Sequence, residues 1–180
     1  MILDLKYMRW SKEGISLIEV VVYVALLGMV AVFVTNSLIS IINTYARASA
    51  EREVLNNARS ALELIGKSIA QSQEVYTPTS ILNTDAGQLS LVTNASSTPG
   101  HTAGFTDIWV DGGAVRMRRE GEGEVVLSAA SVRVTTLRFE RIIQTLGREA
   151  VKTTIRVDFA SSKFPASVSL NATTALRGNY

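Results

Sequence analysis

Two successive hydrophobic patterns fill the first half of the chain. The first is a continuous apolar run over 15–34, in which Glu19 is the only charged residue. The second recurs at three- and four-residue steps, as one face of an α-helix does; its members are Leu55, Ala58, Leu62, Ile65 and Ile69. No proline precedes Pro78. The two patterns predict one helix from about Ile15 to about Glu74, which is about 60 residues, or ~90 Å at 1.5 Å per residue.

The second half of the chain alternates between apolar and polar residues, as β-strands do. Pro78 ends the helix, because proline disfavours helical backbone at the residue before it. Short alternating or apolar segments then predict strands at 88–93, 108–110, 114–118, 125–127, 132–139, 153–159 and 167–176. Asp111-Gly112 is a strong hairpin signal, 94–104 is predicted to be a surface loop, and a turn is predicted at 145–147. The order predicts an α+β fold, with the long helix packed on an antiparallel β-sheet.

The position of Glu19 is unusual for an apolar segment. The run over 15–34 is long enough to span a bilayer, and a carboxylate near the bilayer centre costs roughly 2.5–3.5 kcal/mol. Such a carboxylate needs a positive partner, and no Lys or Arg lies between Glu13 and Arg47. The helix itself therefore does not supply that partner. A cut just after Gly14 would supply one, because it would create a free amine.

The residues around Glu19 resemble a known processing signal. The stretch K-E-G-I-S-L-I-E-V-V-V-Y-V-A-L-L-G-M-V is similar to the class III signal of type IV pilins and type II secretion pseudopilins. The resemblance implies that a prepilin peptidase cuts after Gly14, that Ile15 becomes an N-methylated terminus, and that Glu19 acts in filament assembly. The family usually has Phe where this chain has Ile15, and often has Thr where it has Ser16.

Charge in the leader predicts how the chain lies across the membrane. Lys6, Arg9 and Lys12 outnumber Asp4 and Glu13, so the leader is expected to stay in the cytoplasm. The predicted organisation is a cleaved leader at 1–14, a transmembrane or filament-core segment at 15–34, an amphipathic continuation at 35–76 and an extracytoplasmic β-rich head at 77–180. Without its leader the chain is close to neutral, so its basic isoelectric point does not indicate nucleic acid.

The resemblance also implies partners. These are other pilin or pseudopilin subunits through the N-terminal helix, the peptidase, an inner-membrane assembly platform, and lipid before assembly. The second half resembles J-class minor pseudopilins and related minor pilins, in the run I-W-V-D-G-G-A-V-R-M-R-R and at Gly113, Leu137, Phe139 and Arg177. Many major pilins close a C-terminal loop with a Cys pair, and cysteine is absent here. A minor subunit of a type IV pilus or a type II secretion pseudopilus is therefore expected.

Two other classes of function stay open. One is a DNA- or surface-binding minor pilin of a competence or adhesion system, with the loop at 94–104 or the arginines of 116–119 as the contact. The other is a simple signal-anchored extracytoplasmic domain with Glu19 at the lipid headgroups, which predicts an intact leader. A major pilin is an alternative within the filament class.

No enzymatic site can be built from the sequence. The only histidine, His101, lies in the predicted loop without a second histidine or a cysteine. Asp107 and Asp111 flank a predicted strand, at a spacing that does not form a calcium loop. No Ser/His/Asp set, paired general acid and base, or glycine-rich phosphate loop is present. We therefore expect neither an enzyme nor a cofactor nor a metal.

Overall fold

The computed structural model describes residues 14–93, 103–143 and 149–178. The leader before Gly14, most of the predicted loop at 94–104 with His101, and the predicted turn at 145–147 lie outside these residues. The long helix α1 comprises Leu17–Gln71, 55 residues. It ends before Glu74 because the chain there forms a strand: the Gln73 N–H donates to the Val92 carbonyl at 2.8 Å, and that of Tyr76 donates to Ser90 at 2.8 Å.

The described strands form two antiparallel sheets. The first is five-stranded, in the order β1-β2-β3-β4-β5, and the second is three-stranded, in the order β6-β7-β8. The strands are β1 (Glu74–Val75), β2 (Leu89–Thr93), β3 (Gly104–Asp111), β4 (Ala114–Arg119), β5 (Glu124–Val126), β6 (Val132–Ile143), β7 (Glu149–Phe159) and β8 (Ser167–Ala175). The predicted α+β class, with a long N-terminal helix on antiparallel strands, is confirmed. The expectation of one sheet is corrected to two.

The connection between β5 and β6 shows why the strands divide into two sheets. The Ala129 N–H donates to Asn57 Oδ1 at 2.9 Å, and the Ser131 hydroxyl donates to Glu53 Oε1 at 2.9 Å. Both acceptors lie on α1, so the connection is bound to the helix instead of making a tight turn back beside β5. β6 does not pair with β5; instead, the Leu137 N–H on β6 donates to the Asp85 carbonyl at 2.7 Å.

One face of α1 forms the centre of the hydrophobic core, within the compact unit that begins at Tyr45. Its buried apolar members recur at three- and four-residue steps: Ala50, Val54, Ala58, Ala61, Ile65 and Ile69. Leu55 and Leu62, which the sequence pattern placed on this face, are only half-buried. The buried stripe is therefore rotated towards the smaller residues. Small residues let the helix approach the sheet closely; a Cβ on Gly66 would lie 3.3 Å from Thr174 Oγ1.

The predicted Asp-Gly hairpin connects β3 and β4. Asp111 pairs with Ala114, and Gly112 and Gly113 between them have φ of 60° and 80°. Both residues are thus in the left-handed region, as a two-residue hairpin loop with a primed turn requires. The Gly113 carbonyl also accepts the Val134 N–H at 2.8 Å. The hairpin therefore contacts β6 of the second sheet.

Alanine at Gly113 should destabilise the head more than alanine at Gly112. Each substitution places a Cβ at positive φ, at a cost of about 1–2 kcal/mol. Only at Gly113 would the Cβ also meet a neighbour, 2.8 Å from Arg133 Cγ, whereas the space around Gly112 is open. We expect Gly113→Ala to lower the free energy of unfolding by ~1 kcal/mol more than Gly112→Ala. Denaturant titration of the full chain in detergent, followed by circular dichroism, measures both. Equal losses would show that Arg133 moves aside freely.

Candidate functional site

The N-terminal part of α1 is apolar and uncovered. One 18-residue window of this helix has a mean hydropathy of 2.7 and none of it is buried, so by length and composition the helix could cross a membrane. The chain divides into two compact units at Thr44 and Tyr45, and this window belongs to the first. An apolar surface of this extent needs lipid or other protein helices around it. The long apolar helix is thus suited to be a membrane anchor.

Gly14 and Ile15 lie immediately before α1, where the backbone is not helical. Apart from the residues next to it in the chain, no described residue has an atom within 4 Å of the position that a Cβ on Gly14 would occupy, and Ile15 is 70% exposed. The Gly14–Ile15 peptide bond is therefore neither covered by described residues nor included in helical hydrogen bonding. Such a bond is sterically accessible to a peptidase.

The helix begins with a recognisable N-terminal arrangement. The Ser16 carbonyl accepts from the Glu19 N–H at 3.0 Å and from the Val20 N–H at 3.2 Å. Ser16 therefore lies at the N-cap and Glu19 three residues later, which is the spacing of a capping box. A carboxylate in the first turn is also favoured by the positive end of the helix dipole. This Ser-x-x-Glu signal is visible in the sequence but was not among the sequence-based predictions.

Glu19 has one polar partner on its own helix. The Tyr23 hydroxyl donates to Glu19 Oε1 at 3.0 Å. The two residues are four apart, so they share one face of the helix. Tyr23 was not among the predicted site residues, because a tyrosine in this position fits an apolar run. The signal that would have found it is the i, i+4 spacing of a hydroxyl from an otherwise isolated acid.

No cation accompanies Glu19 within the described ranges. Its carboxylate forms no ion pair there, and the first basic residue along α1 is Arg47. The described structure thus brings Gly14, Ile15 and Glu19 together at one end of the helix without supplying a positive charge. An amine at Ile15 would place one there. The arrangement leaves the Glu19 carboxylate without an ionic partner among the described residues.

The arginines of β4 do not form a free basic patch. Arg116 is ion-paired with Asp111 and Glu124. The hydrogen bond that its guanidinium donates to Glu124 is the main reason that the pKa of Arg116 is raised above its ordinary value. The remaining pairs on this strand are Arg118 with Asp107 and Arg119 with Glu122. Carboxylates thus balance the guanidinium groups of this strand. This surface gives a DNA-binding function no specific support.

The two aspartates considered as metal ligands are engaged by these arginines. Asp107 lies 3.3 Å from Arg118 Nη2, and Asp111 lies 3.2 Å from Arg116 Nε. No group of three or more His, Cys, Asp or Glu side chains suited to a metal lies within the part of the chain that the structure describes. His101 is outside that part. The described geometry therefore offers Glu19 and its surroundings as the candidate site.

Comparisons of the chain with protein-family models, curated proteins and solved structures found no match.

Proposed function

We propose that this chain is a pilin-like structural subunit. A prepilin-type peptidase would cut it after Gly14, and it would then assemble through α1 into a type IV pilus or a type II secretion pseudopilus. The observation that carries the proposal is the isolated carboxylate of Glu19 on an uncovered apolar helix, five residues after Gly14 and its accessible bond to Ile15. The resemblance of residues 12–30 to the class III signal supports the same function.

The proposed mechanism follows from charge pairing in an apolar environment. Hydrolysis of the Gly14–Ile15 amide gives a carboxylate on Gly14 and a protonated amine on Ile15. When helices associate, that amine on one subunit meets Glu19 of a neighbour, and each charge gains a partner as water is excluded. Removing one partner of such a pair leaves the other charge unpaired, at about 3–5 kcal/mol. The pair therefore selects one register between neighbouring helices.

The remaining parts of the proposal concern topology and subunit type. The basic leader holds the N-terminus in the cytoplasm, so the head carrying β1–β8 faces outward. An assembly platform in the inner membrane would draw the helix from lipid into the filament. We propose a minor subunit, on the resemblance to the J class and the absence of cysteine. The presence of Glu19 disfavours the extreme tip, because a tip subunit has no neighbour above it to engage.

The mass of the N-terminal peptide tests the proposal. Membranes from cells with an active prepilin peptidase should yield a chain that begins at Ile15 and carries one added methyl group. Cells without the peptidase should yield a chain that still carries the residues before Ile15. An intact leader in the first cells would contradict the proposal and favour a simple signal anchor.

A further inference from the structure

Tyr23 is the only residue between Glu19 and Val34 whose side chain carries a hydrogen-bond donor. All the others in this interval are apolar or glycine. The Tyr23 hydroxyl donates to Glu19 Oε1 at 3.0 Å. The one hydroxyl between Glu19 and Val34 therefore donates to the only carboxylate in the apolar run.

The helix geometry makes this contact directional. Side chains on an α-helix lean towards its N-terminus, so the ring of Tyr23 reaches back over the preceding turn. A tyrosine has few rotatable bonds compared with glutamate, and fixing a glutamate side chain in one rotamer costs conformational entropy. The hydroxyl thus restricts Glu19 before any neighbouring subunit arrives.

The contact also gives the two carboxylate oxygens of Glu19 different hydrogen-bond partners. Oε1 accepts from Tyr23, while no described residue donates to Oε2. Hydrogen bonds to an ionised acceptor are stronger than hydrogen bonds between neutral groups. In an apolar region, an oxygen without a protein donor cannot form a hydrogen bond to water instead. One oxygen is therefore stabilised on the subunit's own helix, and the other remains available to a cation.

A competing cation would lie on the same chain. After cleavage, the Ile15 amine would lie on the N-terminal side of Glu19, two residues before the helix begins at Leu17. Tyr23 lies one turn after Glu19. The two groups thus attract the carboxylate in opposite directions along the helix.

We propose that Tyr23 is a positioning residue for assembly: its hydroxyl holds Glu19 away from the amine of its own chain and presents the carboxylate to the amine of a neighbouring subunit. This inference rests on the proposed function, since it requires both cleavage at Gly14 and pairing in a filament. The partner is a second pilin-like helix with a protonated N-terminus.

The test compares Tyr23→Phe, which removes only the hydroxyl, with Tyr45→Phe. Tyr45 is an exposed tyrosine farther along α1 whose hydroxyl bonds to no other described residue. Cells that assemble the filament are sheared, and the chain in the filament and membrane fractions is quantified by mass spectrometry of its peptides. We expect Tyr23→Phe to lower the filament fraction about tenfold, equivalent to 1.4 kcal/mol. Tyr45→Phe should match the unaltered chain, and the leader should be cleaved in both.

A double substitution separates positioning from packing. In a Glu19→Gln chain, residue 19 can no longer form an ion pair with an amine. Adding Tyr23→Phe to that chain should therefore reduce the incorporated fraction by less than about twofold. A tenfold loss in that background as well would overturn the inference, because Tyr23 would then act without Glu19. If the Tyr23→Phe chain kept its leader, the inference would also be overturned, because the hydroxyl would then be needed for cleavage by the peptidase and not for assembly.

The same samples distinguish failure of this inference from failure of the proposed function. If Glu19→Gln lowers incorporation and Tyr23→Phe does not, the positioning role is wrong and the assembly role stands. If Glu19→Gln is incorporated as the unaltered chain is, or if no chain begins at Ile15, the proposed function itself is wrong.

Discussion

A Glu19→Gln chain should be cleaved and inserted in the membrane normally, yet be nearly absent from filaments. Glutamine has almost the same shape as glutamate but no charge, so an incoming Ile15 amine would lose its ionic partner. Leaving one member of a buried pair without the other costs about 3–5 kcal/mol. This corresponds to a loss of at least ~100-fold in the incorporated fraction, at 1.4 kcal/mol per factor of ten. The measurement is the ratio of filament-bound to membrane-bound chain after shearing.

Glu51→Gln is the matched control for this substitution. Glu51 is an exposed glutamate on the same helix, beyond the apolar run. Its replacement removes the same charge without affecting the proposed pair, so incorporation should be unchanged. Equal losses for the two variants would indicate a general effect of helix charge. Equal incorporation of both would contradict a role of Glu19 in assembly.

The candidate site was predictable from the sequence because its signals are linear. Gly14, Ile15 and Glu19 occupy fixed positions in a processing signal, and an acid in an apolar run stands out without any three-dimensional information. Tyr23 did not stand out, because tyrosine counts as apolar in such a run. Its relation to Glu19 follows only when the run is treated as a helix, on which residues four apart are neighbours.

The fold was predictable where its elements have a local period. The long helix and the main strands were placed correctly, since apolar spacing distinguishes helix from strand. β1 was missed because Glu74–Val75 is too short to show any alternation. Its strand conformation depends on pairing with Leu91 and Val92, which are distant in sequence.

The division into two sheets was also not predictable from local patterns. It depends on the bonds from Ala129 to Asn57 and from Ser131 to Glu53, each across more than 70 residues. The β6–β7 ladder is further interrupted by a register shift between Val134 and Thr136. An irregularity of this kind bends a strand. No glycine or proline in that segment would have predicted it from the sequence.

Phe139→Ala should be among the most destabilising single substitutions in the head. Phe139 is fully buried on β6, and its ring also supports the segment before β2: a Cβ on Gly87 would lie 3.1 Å from Phe139 Cδ2. Truncating a buried phenylalanine to alanine typically costs 3–5 kcal/mol. The free energy of unfolding of a natural domain is roughly 5–15 kcal/mol, so this substitution would remove a large part of it. Denaturant titration of the full chain in detergent measures the loss.

Phe105→Ala is the control that separates burial from aromatic character. Phe105 lies on β3, is 38% exposed and makes an edge-to-face contact with Tyr76 at 5.3 Å between ring centroids. An aromatic pair of this kind contributes about 0.5–1.5 kcal/mol beyond its buried area, so this variant should lose much less stability than Phe139→Ala. Similar losses would mean that the outer face of the first sheet is covered in solution. Cleavage after Gly14 should be normal in both variants, because the Gly14–Ile15 bond lies outside the head.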